Sequence, residues 1–172
     1  MRSLAAFSAG GSQMDVTYHP IGIIHSPFKS PEAMPIQPVG ETSGHATVEI
    51  FSEVVDGLKD LDGFSHLILL YHFHKAHGSA LTVTPFLDFT PHGIFATRAP
   101  SRPNPIGLSV VKLVGIKGNK LYVEQVDILD QTPLLDLKPY VPEFDHRPDA
   151  RIGWLERAKG EISSKLSDNR FA

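Results

Sequence analysis

Apolar and polar positions divide the chain into short strand-like pieces separated by proline-rich connections. Gly44 to Phe51, GHATVEIF, alternates, with Ala46, Val48 and Ile50 on one face and His45, Thr47, Glu49 and Phe51 on the other. Such alternation predicts a half-buried strand. Val16 to Ser26, VTYHPIGIIHS, is β-branched and stops at Pro27, so it predicts a first strand with Pro20 near its start or at an edge. His66 to Phe73, HLILLYHF, is too short for most helices and apolar enough for a buried strand, and Leu81 to Phe89 is a weaker strand interrupted by Pro85. Leu108 to Ile116 and Lys120 to Leu129 flank Lys117, Gly118 and Asn119, which predicts a hairpin.

Helical signals are few. Ser52 is placed to cap a short turn over SEVVDGLKDL, which Gly57 limits. Ile152, Leu155, Ala158, Ile162 and Leu166 follow helical spacing, with Asp149 as a candidate cap and Gly160 a weak point. About six or seven strands without strand–helix–strand alternation predict an all-β fold, an antiparallel β-barrel with a short C-terminal helix packed outside. Residues 1–15 then form a disordered leader, 16–145 the barrel domain and 146–172 a helical extension.

Three connections hold most of the prolines. Pro27 to Pro38, PFKSPEAMPIQP, reads as an extended loop. Phe95 to Ser109, FATRAPSRPNPIGLS, places Pro100, Pro103 and Pro105 beside Arg98 and Arg102. Proline fixes φ and donates no amide hydrogen, so this is a stiff loop: either a ligand platform or a scaffold whose arginines pair with carboxylates. Asp130 to Pro142, DQTPLLDLKPYVP, reads as a third proline-punctuated loop. Asp130 to Thr132 could present oxygens and amides to a polar ligand; equally, Asp130 could cap the turn while Asp136 pairs with Lys138 or Arg98.

Composition narrows the function classes. The chain has 172 residues, a formal net charge of −3 and no cysteine. One domain is the expectation, disulfides and thiolate metal sites are excluded, and any nucleic-acid contact must come from a local patch. No apolar run approaches the ~20 residues of a membrane-spanning helix. A soluble, cytoplasmic protein is therefore expected. GxGxxG and GxSxG are absent, which argues against a Rossmann nucleotide site and a hydrolase elbow. His72, His74 and His77 cluster without an HExxH or a third carboxylate ligand at fixed spacing, so they are read as polar loop histidines, with no metal.

FATRAPSRPNPIGLS and DILDQTPLLDLKPYVP, in this order and one hairpin apart, resemble the signatures of the TsaA-like (YaeB, TrmO) family. IGIIHSPFK at 21–29, IQP at 36–38 and LDGFSHLILLYHFHK at 61–75 extend the resemblance over roughly residues 18–142. It implies an antiparallel β-barrel, a homodimer with its cofactor site near the subunit contact, and S-adenosylmethionine as cofactor. The implied activity is methylation of N6 of threonylcarbamoyladenosine at position 37, in the anticodon loop of tRNA. By the same resemblance the cofactor is held by Gln37, Pro38, His74, Lys75, Arg98, the Ser109–Val110 backbone region, and the turn Asp130, Gln131, Thr132 and Pro133.

On this reading Asp130 and His74 are the catalytic candidates for accepting the N6 proton. Arg98 and Arg102 bind the threonyl carboxylate or anticodon phosphates, and Tyr71, Phe73 or Phe95 stacks on the base. Family members commonly have glycine between the Asp and Thr of DGTP, where this chain has Gln131. If that position requires positive φ, Gln131 is strained or the turn is reshaped. Some bacterial members also carry a long C-terminal domain that helps grip tRNA. The alternatives are a sensor that binds S-adenosylmethionine without transferring its methyl, and an RNA-binding barrel without chemistry; net acidity weighs against the latter.

Overall fold

The computed structural model describes residues 15–31 and 44–158. Eight strands lie within them: β1 (Gly22–His25), β2 (Gly44–Ile50), β3 (His66–His72), β4 (Thr82–Val83), β5 (His92–Gly93), β6 (Ile106–Lys117), β7 (Lys120–Val126) and β8 (Thr132–Pro139). Six close a barrel in the order β1-β2-β7-β6-β3-β8, with β8 returning to β1, and every pairing is antiparallel. β4 and β5 form a separate two-stranded ribbon.

The inward positions are those the alternation selects. Ala46, Val48 and Ile50 of β2 face the core, as do Leu67, Leu69 and Tyr71 of β3, alongside Ile24, Val111, Leu121, Val123 and Leu134. Taking such side chains out of water contributes roughly 1.5–3 kcal/mol each, the main force closing the barrel. β7 ends in a bulge, where the register against β2 shifts and Gln125 adopts φ +63°. One inserted residue changes the inward phase. Val126 and Ile128 are thereby buried in the core, rather than Gln125 and Asp127.

Several expectations need correction. Asp130 to Pro142 is not a loop, because Thr132–Pro139 is the strand that closes the barrel between β1 and β3. Its prolines are tolerated because each lies where β8 has a neighbour on one side only. Pro133 pairs with Ile23 beyond the end of the β3 register, and Pro139 pairs with Leu67 beyond that of β1. The segment Leu81 to Phe89 keeps only the two residues of β4 in a strand. Ser52 opens a 3-10 helix, Ser52–Leu58, but does not cap it: Phe51 holds that position without a side-chain bond.

The helical spacing after residue 150 becomes a 3-10 turn, Gly153–Ala158, preceded by the single-turn helix α1 (Pro142–Asp145). The remainder of the expected C-terminal helix, the expected leader through residue 14, and Gln37 and Pro38 lie outside the described residues. Among the described residues, no helix is long and apolar enough to cross a membrane.

Candidate functional site

One end of the barrel gathers the C-terminal ends of β3 and β7 and the N-terminal ends of β6 and β8, since antiparallel register pairs Tyr71 with both Gly107 and Leu134. A cavity of about 790 Å³ opens there, within the size range of small-molecule sites. Its walls include Tyr71, Phe73, His74, Lys75, Arg98 and Asp127, and it is closed on one side by Trp154 and Leu155.

Its deepest polar feature is a hydroxyl chain. Ser109 Oγ lies 2.6 Å from Asp127 Oδ1 and 3.0 Å from Tyr71 Oη. A carboxylate only accepts, so Ser109 donates to Asp127 and accepts from the Tyr71 hydroxyl. Burial, reinforced by the Asp127 charge, pushes the Tyr71 hydroxyl well above its ordinary range. Burial also raises the Asp127 carboxyl, against the lowering effects of the Ser109 bond and the Arg98 charge. Gly107 permits this packing, because a Cβ there would overlap the Tyr71 ring.

His74 is arranged differently. Thr132 Oγ1 donates its single hydrogen to Leu129 O at 2.7 Å. Towards His74 Nδ1, 3.2 Å away, it can therefore only accept. Nδ1 carries the proton, and Nε2 is left as the lone-pair nitrogen. Burial first, then the Lys75 and His72 charges, lowers the His74 pKa from its ordinary value, with Asp130 opposing.

The two loop arginines separate. Arg102 Nη1 donates to the carbonyls of Thr97 at 2.8 Å, Ile94 at 3.2 Å and Ala99 at 3.4 Å, so its guanidinium staples the proline-rich loop. Arg98 is exposed and, among the described residues, has no carboxylate within ion-pair distance. An exposed guanidinium and a half-buried carboxyl on the walls of one aromatic-lined cavity suit a zwitterionic organic ligand.

The profile of the tRNA-methyltransferase O N-terminal domain matches residues 23–146. The chain belongs to that family. Among its relatives is a probable S-adenosyl-L-methionine-binding protein of Pyrococcus abyssi, 56% identical over 156 residues, covering 91% of this chain and 85% of the relative. A mouse tRNA (adenine(37)-N6)-methyltransferase is 37% identical over 133 residues, covering 73% of this chain but only 31% of the mouse protein. The crystal structure of TrmO from Pseudomonas aeruginosa superposes with a TM-score of 0.70 at 40% identity, covering 82% of this chain and 63% of that one.

In this member of the tRNA-methyltransferase O family, His74, Lys75, Arg98, Arg102 and Thr132 of the expected site residues line the cavity. Ser109 lies behind that wall and reaches the cavity through Asp127. Val110 pairs with Ile68 in mid-strand, and Pro133 pairs with Ile23. Asp130 is a clamp. Lys29 Nζ donates to its Oδ2 at 2.6 Å and Ser26 N to its Oδ1 at 3.0 Å, and the Lys29 bond is the main reason its carboxyl is held below the ordinary range.

Gln131 has φ +62°, so the positive φ expected of a glycine at this place is retained by a residue with a side chain. Its Nε2 lies 3.0 Å from His25 Nδ1. Asp127 and Trp154 were not among the expected site residues. Asp127 is visible in sequence only as one aspartate of three in its segment, and Trp154 lies in a segment where helical spacing is the dominant signal.

Proposed function

We propose that this chain is an S-adenosylmethionine-dependent methyltransferase acting on tRNA, with N6 of threonylcarbamoyladenosine at position 37 as acceptor. Family membership and the mouse relative's activity support the class. The observation that carries the reading is that exposed Arg98 and half-buried Asp127 stand on the walls of one aromatic-lined cavity.

S-adenosylmethionine carries a carboxylate, an ammonium, a sulfonium and an adenine. Arg98 offers two parallel donors to a carboxylate, Asp127 offers negative charge to a cationic centre, and the aromatic walls accept a planar ring. Lys75 and Thr132 border the same space, and Gln37, Pro38 and the Gln131 turn complete the proposed cofactor set. When bound, the sulfonium supplies a methyl carbon open to in-line displacement, so the protein's main task is alignment within about 3.5 Å.

The acceptor nitrogen belongs to a urea and must lose its proton. His74 Nε2, with its lone pair kept by the Thr132 tautomer lock, is the group we assign to take it. With the cofactor bound, its methyl would be supplied to N6 while His74 would take the N6 proton. Asp130, already ionised and paired with Lys29, positions the turn instead. Arg102 contributes to substrate binding by holding the loop that presents Arg98.

A homodimer in the cytoplasm completes the proposal. Phe95 is 77% exposed, and Ile106 and Leu108 are also exposed near the mouth of the cavity, an apolar surface that a second copy could cover. A sensor role is the competing reading, favoured by the binding-protein name of the Pyrococcus relative.

The test uses purified protein, methyl-labelled S-adenosylmethionine, and tRNA with or without the threonylcarbamoyl group. Label transfer to threonylcarbamoylated tRNA alone is expected. Cofactor binding with no transfer to either tRNA would establish the sensor reading, and transfer to both would replace the acceptor. Absence of cofactor binding would overturn both functions.

A further inference from the structure

We propose that Trp154 is a stacking wall for a purine ring in the cavity, held in place from behind by His92. The proposal rests on the reading of the cavity as a site for an adenosyl cofactor and an RNA base, and adds a recognition element outside the barrel. Trp154 stands on the 3-10 turn Gly153–Ala158, after the last barrel strand, yet it lines the cavity with Leu155.

Two contacts fix its ring. Its Nε1 donates to Ala96 O at 2.8 Å, in the loop that presents Arg98. One indole face lies on the His92 imidazole, with centroids 4.6 Å apart and planes at 18°. His92 is itself oriented by Asp88, whose Oδ2 lies 2.9 Å from His92 Nε2. That bond is the leading cause of an Asp88 pKa of about 2, so Asp88 is ionised throughout the neutral range. With one face on His92 and the pyrrole edge at Ala96, the opposite face is what remains for the cavity.

Tyr71 and Phe73, deeper in the cavity, are already engaged with each other. Tyr71 uses its hydroxyl on Ser109 and meets Phe73 edge-on at 5.4 Å. Trp154 is held in a fixed plane, so stacking on it costs little ordering, and any flat π face is a suitable partner. The purine can come from the cofactor or from the RNA, and the two sources can be separated experimentally.

Trp154 is the only tryptophan in the sequence, so intrinsic fluorescence reports on this ring alone. Emission is followed while titrating S-adenosylhomocysteine, adenosine, or an RNA stem-loop with adenosine in its loop. Calorimetry measures S-adenosylhomocysteine binding in parallel. Saturable quenching is expected: by the first two ligands if the ring is the cofactor's, by the RNA alone if it is the acceptor's.

Trp154→Phe retains a stacking face but loses the Nε1 donor, whereas Trp154→Leu retains bulk without a π face. Affinity for the quenching ligand should stay within about threefold in the first and weaken about tenfold or more in the second, with melting curves confirming that both fold. Quenching by no ligand, or equal affinities for the Phe and Leu variants, would overturn the stacking wall and leave Trp154 as a structural pin. If calorimetry finds no S-adenosylhomocysteine binding to the wild-type chain, the proposed function fails; stacking then survives only if the RNA still quenches.

Discussion

Gln131 shows how one side chain can occupy a backbone position suited to glycine. Left-handed backbone costs a residue with a Cβ about 1–2 kcal/mol, and at φ +62° Gln131 carries that cost while its amide reaches His25. Comparing Gln131→Gly with Gln131→Ala isolates the backbone term, since both lose the amide. The glycine variant should be more stable than the alanine variant by about 1 kcal/mol in chemical denaturation.

His74 supplies a pH prediction at the same scale. Its pKa lies below the ordinary 6.5, so it is neutral at pH 7, and methyl transfer should be flat there and fall only as pH drops through that lowered value. Because the unfolded chain binds this proton more tightly than the folded one, the same residue removes stability as pH falls below about 6.5. A rate profile for the wild type beside His74→Gln checks the assignment: the variant should be slowed about 10²-fold or more and lose the acid limb.

Among the elements, the junction of β3 with β6 has the tightest tolerance. Tyr71 can lie across Gly107 only because no Cβ intervenes, and that placement brings its hydroxyl to Ser109. Gly107→Ala should cost about 1–3 kcal/mol through overpacking. It should also weaken cofactor binding, because Tyr71 and the Asp127 chain move together. Denaturation and calorimetry read the two effects separately, and an unchanged affinity would detach the hydroxyl chain from the ligand. Beside this junction, the proline-rich loop owes its shape as much to the Arg102 bonds with three carbonyls as to its prolines.

For the whole molecule, charge sets the expected mode of RNA binding. With a net charge of −3, attraction is expected at the cavity mouth, where Lys75 and Arg98 are exposed while Lys29 is paired with Asp130. Two to four neutralised phosphates give a log–log salt slope of roughly −1.5 to −3 for single-stranded contacts. Filter binding from low to moderate salt measures it. A slope near −6 would mean that cations away from the mouth engage the RNA.

The amino-acid pattern alone determined the strands whose side chains alternate in polarity, β2 above all, because a period of two is set by the local backbone and requires no knowledge of neighbours. Motifs made of adjacent residues, LDGFSHLILLYHFHK, TRAPSRPNP and DQTP, also singled out His74, Arg98 and Thr132, which the structure brings to the wall of one cavity. Tertiary structure decided the rest, since the deciding partners lie far apart in the chain. β8 is a strand despite its prolines because β1 and β3 bond to the sides those prolines leave available. Asp130 clamps its turn because Lys29 and Ser26, about a hundred residues earlier, bond to its oxygens. Asp127 and Trp154 reach the cavity only once a bulge has changed the inward phase of β7 and a turn beyond the barrel has docked on Ala96. Neither event leaves a periodic signal in the sequence.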